Sequence, residues 1–165
     1  MACLFNIGDR VVYPMHGAGI IESIEEKEIL GERQKYYVMR MPIGDMKVMV
    51  PLNNVENIGL RGIVDGETAQ SVLEHMRTQE EHDSANWNRR YRANLDKMKS
   101  GDIYDVAEVV CALMLRDNEK GLSTGERKML DNAKQILISE LVLAKDVREE
   151  QAFEMIDGIF VAEDK

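Results

Sequence analysis

"GLRGIVDG", residues 59–66, is the stretch at which the chain changes rhythm. Before it, apolar residues come in short runs that alternate with polar ones. After it, they recur every three to four positions. A switch of hydrophobic period from 2 to 3.6 across a glycine-rich joint places strands first and helices second. The expected fold class is therefore α+β with two domains, a small β domain over residues 1–62 and a helical domain over residues 66–165.

Upstream of the joint, "RVVYP" (10–14), "AGIIESIEE" (18–26), "KYYVMRM" (35–41) and "MKVMVP" (46–51) are short and rich in β-branched or aromatic residues. The turn signals "HGAG", "LGE" and "IGD" separate them. Gly44-Asp45 reads as a two-residue hairpin turn, because glycine takes the positive φ of such turns without steric cost. Counting outward pairs Met41 with Val48, Met39 with Val50 and Arg40 with Met49. One face of this hairpin is then apolar, and the other shows Arg40, Lys47 and Met49. Four or five short strands in so short a span imply a small, strongly bent antiparallel sheet or partial barrel.

Downstream, "GETAQSVLEHM" reads as a short helix and "SANWNRRYRANLDKMKSG" as a second, stopped by Gly101. A third runs from Asp102 to Lys120 with Ile103, Val106, Ala107, Val110 and Met114 on one face, and Gly121 ends it. Ser123 to Glu126, "STGE", is a capping box for a fourth helix, which buries Met129, Leu130, Ala133, Ile136, Leu137 and Leu141. An acidic amphipathic helix over about 147–161 completes a compact all-α bundle of about five helices.

The chain has 165 residues with 44% hydrophobic side chains, enough for one ordinary domain or two small ones. No apolar run approaches the ~18 residues of a membrane span, and "MACLFNIGDR" lacks the basic and apolar regions of a signal peptide, so a cytoplasmic protein is expected. Cys3 and Cys111 form neither a metal spacing nor a disulfide framework, and both read as reduced structural thiols. His16, His75 and His82 are scattered. His75 and His82 lie seven apart, not at the spacing that brings two imidazoles to one metal. "HGAG" lacks the strand before and helix after it that a phosphate loop needs. No nucleophile elbow is present and no base lies beside either cysteine. No catalytic residue, metal or cofactor is expected.

A net charge of −9 argues against holding nucleic acid through bulk charge, so any contact with it must be local. The charge is in fact segregated. Residues 86–99, "NWNRRYRANLDKMK", carry Arg89, Arg90, Arg92, Lys97 and Lys99 against Asp96 alone, whereas 146–164 are acidic except for Arg148. The basic segment also holds the chain's single tryptophan. Trp87, Tyr91, Leu95 and Met98 share one helical face, which fits a buried anchor at the end of a core stripe. Trp87 also follows Asn86, a good N-cap, in the first turn, where a side chain can splay past the end of a bundle. Arg89, Arg92, Asp96 and Lys99 form a second, mostly basic stripe. A tryptophan at the rim of such a helix can wedge or stack against bases while arginines hold phosphate. Periodicity leaves both readings open.

"NIGDRVVYPMHGAGIIESIE" (6–25), "VPLNNVENIGLR" (50–61), "NWNRRYRANLDKMKSGD" (86–102) and "RDNEKGLSTGERKMLDNAKQILISEL" (116–141) resemble, in order, the CarD/CdnL family of bacterial transcription regulators. Only the acidic C-terminal tail falls outside the similarity. The resemblance implies a Tudor-like N-terminal domain that binds the RNA polymerase β subunit, as in the transcription-repair coupling factor. It also implies a helical domain that contacts promoter DNA. Such proteins are not enzymes. They stabilise the open promoter complex with a Trp inserted in the minor groove at the upstream edge of the bubble. Carried over by position, Trp87 is the wedge, Asn86 lies beside it, and Arg89, Arg90, Arg92 and Arg127 complete the DNA-facing set. Lys27, Ile29, Arg40, Lys47 and Met49 form the polymerase-facing set. Some relatives have Arg where this chain has Lys27 and Met49, and Arg40 is the candidate replacement cation. A monomer is expected. The alternative is a polymerase-binding adaptor whose helical domain recruits a protein, with Trp87 as the interface anchor.

Overall fold

The computed structural model describes residues 5–80 and 86–161; Cys3, His82, Ser84, Ala85, Glu163 and Asp164 lie outside the described residues. Strands β1 (Arg10–Tyr13), β2 (Gly17–Ile29), β3 (Glu32–Arg40), β4 (Lys47–Pro51) and β5 (Arg61–Gly62) form one antiparallel sheet in the order β4-β3-β2-β1-β5. It is the small bent antiparallel sheet expected. A bulge between Ile21 and Ser23 puts an extra residue, Glu22, into long β2, which bends the strand. On one face Val11, Ile21, Tyr37, Met39, Met41 and Val50 make a core with Val55 and Leu60. Val55 belongs to a single-turn helix α1 (Val55–Ile58), which Gly59 ends at φ 83°.

One feature of the β unit departs from the sequence reading. The β3–β4 register is displaced by two residues, so Val48 lies opposite Met39, Val50 opposite Tyr37 and Met49 opposite Val38, while Arg40 faces Lys47. The connection closes at Met41, whose N–H donates to the Met46 carbonyl, and Pro42 inside the loop has no N–H to extend the ladder. A slip of two keeps each side chain on its face, so the apolar and charged faces are as expected. Within the glycine-rich joint, Arg61 and Gly62 pair with Val12 and Val11 as the fifth strand, inside the span expected for the β domain.

Helices α2 (Gly66–Arg77), α3 (Trp87–Ser100), α4 (Ile103–Glu119), α5 (Thr124–Lys145) and α6 (Glu149–Val161) follow. Asp65, Asn86, Asp102 and Ser123 cap α2 to α5 through their side chains, each accepting a first-turn N–H. The residues expected inside α5 are all buried, as are Ile103, Val106, Ala107 and Val110 of α4, with Met114 half-buried. Val109, Cys111 and Leu113 are buried too, because α4 is covered on more than one side. Burial, with Glu108 nearby, pushes the Cys111 thiol up to about 12, which keeps it an unreactive thiol.

The helices pack on the second face of the sheet. Val12 and Ala18 meet Leu143 of α5, and the Ala18 N–H donates to Ser139 Oγ at 2.8 Å. Arg10 donates to the Leu143 carbonyl at 2.7 Å. Arg61 grips the buried Glu140 carboxylate through both terminal nitrogens at 2.8 Å, the Val64 N–H adds a third bond at 3.0 Å, and Arg61 Nε reaches the Gly101 carbonyl at 2.9 Å. A side chain at Gly17 would put its Cβ 2.9 Å from Ser139 Oγ, and φ there is +118°, so only glycine fits this seam.

Candidate nucleic-acid and polymerase interfaces

Helix α3 begins at Trp87 because Asn86 Oδ1 accepts the Arg89 N–H at 2.9 Å. Its inner side is not purely apolar. Met98 is buried and Tyr91 and Leu95 half-buried, but Asn94 is buried with them and Arg90 turns inward. The stripe of Trp87, Tyr91, Leu95 and Met98 grows progressively more exposed toward the N-terminus, and Trp87 is 40% exposed. Its indole stacks on the Tyr91 ring, with centroids 4.9 Å apart and planes 15° from parallel, while Nε1 donates to Ser123 Oγ at 2.9 Å. The tryptophan is thus held at its edge and on one face but is not a core residue.

The predicted basic residues divide. Arg89 and Arg92 are exposed on the outer side of α3 and make no ion pair among the described residues. Arg90 is placed otherwise than expected: its Nε donates to Glu126 at 2.9 Å, with only 16% of its side chain exposed. Position 90 lies a short way round the helix from Asn94, so it faces the start of α5. Arg127 is exposed but pairs with Asp117 at 2.7 Å.

Glu126 is the centre of this support. Its carboxylate accepts from Arg90 and from the Ser123 hydroxyl, with Arg116 4.0 Å away. The "STGE" box is half-formed: Ser123 Oγ caps the Glu126 N–H at 3.2 Å, but the glutamate turns to Arg90. Burial works to raise the Glu126 carboxyl. The Arg90 hydrogen bond and charge, the Ser123 contact and Arg116 outweigh it, and the group sits below its ordinary value. Toward the C-terminal end of α3, the His75 hydrogen bond lowers Glu108, burial opposes this, and Lys97 at 3.0 Å assists the lowering. The capping motif was visible in the sequence, but nothing in it showed that Ser123 and Glu126 reach across to α3.

The five residues of the polymerase-facing set lie on one face of the sheet. The register aligns Lys27 with Gln34, Ile29 with Glu32, Met49 with Val38 and Lys47 with Arg40, and directly opposed residues point to the same side. Arg40 is not beside Met49. It sits at the loop end, held by Asp45 at 3.0 Å, and shares Glu22 with Lys47. Ile29 and Leu30 stand at the opposite end, where the β2–β3 ribbon runs past its neighbours and Leu30 is 99% exposed. Sequence reasoning read Leu30 as turn only.

Among the described residues no cluster of His, Cys, Asp and Glu is placed to hold a metal ion, and no helix is long and apolar enough to cross a membrane.

Sequence comparison matches the CarD-like/TRCF RID domain over residues 5–64 and the CarD C-terminal domain over residues 71–157. The candidate transcription factor YdeB of Bacillus subtilis (strain 168) is 47% identical over 148 residues, covering 90% of this chain and 97% of that protein. Among solved structures, CdnLNt of Myxococcus xanthus is 42% identical and covers 39% of this chain and 90% of its own, with a TM-score of 0.33. The N-terminal domain of Myxococcus xanthus CarD is 35% identical over 38% of this chain and 83% of its own, with a TM-score of 0.32. With both domains matched in order and a relative similar along nearly its whole length, the chain belongs to the CarD family.

Proposed function

We propose that this chain binds the RNA polymerase β subunit through the charged face of its sheet and stabilises the open promoter complex by inserting Trp87 at the upstream edge of the bubble. Family membership makes it a transcription regulator that interacts with RNA polymerase. The finer reading is carried by one observation: the single tryptophan stands 40% exposed in the first turn of α3, the helix whose outer side carries the exposed Arg89 and Arg92. A core anchor would be buried there. An indole held by its edge offers a flat apolar surface to an unstacked base step, and the arginines suit phosphate.

The energetics favour a tethered wedge. Unstacking a step costs a few kcal/mol, least where duplex already meets melted DNA. With a net charge of −9 and few outward cations on α3, free duplex is bound weakly, so attachment to polymerase supplies the local concentration. On the sheet, Lys27, Ile29, Lys47 and Met49 form the contact, with Arg40 as the replacement cation at its loop end. The protein works as a non-catalytic monomer in the cytoplasm.

The test is open-complex lifetime on a promoter with wild type and Trp87→Ala, together with a pull-down of polymerase. Retained polymerase binding with a lifetime near that without the protein supports the wedge. An unchanged lifetime overturns it and leaves the adaptor reading, in which Trp87 anchors a protein.

A further inference from the structure

We infer that Ser123, at the start of a different helix, is a positioning residue that presets the Trp87 indole for insertion. The inference rests on the wedge reading above. An exposed aromatic in the first turn of a helix is free to change rotamer, and every rotamer frozen on binding weakens the bound state. Here that freedom is already removed. Ser123 Oγ accepts the indole N–H at 2.9 Å and the Glu126 N–H at 3.2 Å and donates to Glu126 Oε1 at 3.3 Å. A hydroxyl has one proton to give and two lone pairs, so all three capacities are used and its direction is fixed.

The anchor is itself tied to the buried Glu126. Glu126 is 1% exposed and is tied to Arg90 of α3 at 2.9 Å, which joins the first turn of α5 to the helix that carries the tryptophan. Tyr91 lies under one face of the indole. Gly125 closes the floor, since a Cβ there would lie 3.6 Å from Trp87 Cζ2 and 3.7 Å from Tyr91 Cε1, in ordinary contact. The indole is therefore held at Nε1, beside Cζ2 and on one face, and the 40% of the residue that stays exposed is what remains for the DNA. Ser123 never needs to touch nucleic acid to have this effect.

The experiment uses Ser123→Gly and Ser123→Thr in the full chain. Glycine caps a helix almost as well as serine but has no acceptor for the indole, whereas threonine keeps both functions. Because Trp87 is the only tryptophan, time-resolved fluorescence anisotropy reports this side chain alone. Ser123→Gly is expected to add a fast local motion of the indole, to keep polymerase binding, and to shorten open-complex lifetime roughly two- to tenfold, the range of one net hydrogen bond. Ser123→Thr is expected to restore both readouts. An unchanged anisotropy decay in Ser123→Gly overturns the inference whatever the promoter kinetics show. A wild-type lifetime in Ser123→Gly overturns it when Trp87→Ala is defective in the same assay. If Trp87→Ala also has wild-type lifetime, the wedge reading has failed, and the inference fails with it.

Discussion

At Trp87 the fold keeps apolar area in water, and each Å2 so exposed forgoes about 25 cal/mol of burial free energy. The ring still has its stack on Tyr91 and its bond to Ser123. Trp87→Ala is therefore expected to cost about 1–2 kcal/mol, more than the ~0.5 of an ordinary surface change and less than the ~3–5 of a buried aromatic. Urea denaturation followed by circular dichroism measures this, and a loss above about 3 kcal/mol would return the residue to the core. Glu126 makes a pH prediction at the same scale. Its carboxyl lies below the ordinary 4.5 in the folded protein, so the unfolded chain binds the proton first as pH falls. The stability it contributes is complete above about pH 4.5 and disappears as pH drops through the lower folded value. Glu108 shifts in the same direction, so it steepens the same acid limb. Glu126→Gln is expected to lower stability at neutral pH and to flatten, without abolishing, the decline below pH 4.5. A slope below pH 4.5 identical to wild type would show that the Arg90 pair contributes nothing to it.

Among the elements, those set by apolar period were legible and those set by polar contacts were not. Helices α4 and α5 appeared in the sequence because Val106, Val110, Ile136 and Leu137 repeat at helical spacing and are buried as they should be. In α3 the apolar stripe was found, but its buried side also holds Asn94 and Arg90, which no hydrophobic count reveals. The β3–β4 register missed by two because Pro42 widens the loop, while alternation still assigned each side chain to its face. For the same reason Arg40, Lys47 and Met49 share the face that alternation gave them, although Arg40 lies opposite Lys47 and not Met49. The close approach of β2 to β3 was also unreadable from periodicity. A Cβ on Gly19 would lie 2.8 Å from the Arg40 carbonyl oxygen and 2.9 Å from Met41 Sδ. The first of these is backbone and cannot swing aside. Gly19→Ala is thus expected to destabilise the β unit by about 1–3 kcal/mol, the usual penalty for forced overpacking. A thermal midpoint equal to wild type would show that the strands separate freely.

For the whole molecule, the seam between sheet and helices decides whether the two proposed binding surfaces act as one body. Glu140 is buried and held by Arg61 and the Val64 N–H. Removing one partner of such a pair typically costs ~3–5 kcal/mol, and because Arg61 is partly solvated the lower end applies to Glu140→Ala. The further expectation is that polymerase binding survives in this variant while open-complex lifetime falls, since each surface is intact but their relation is loosened. A wild-type lifetime with the predicted stability loss would mean that the seam serves folding only. Strand β2 gives that relation a scale. Its first residues, Gly17 and Ala18, dock on α5, and its last, Ile29, ends in the exposed ribbon. Thirteen residues rising about 3.3 Å each give it a contour length of about 40 Å, bent at the Glu22 bulge. One continuous strand therefore joins the α5 docking site to the exposed ribbon, and removing the paired residues Glu28, Ile29, Glu32 and Arg33 should weaken retention of polymerase in a pull-down while the Ala18–Ser139 seam and the thermal midpoint are kept; full retention would show that the ribbon is no part of the contact.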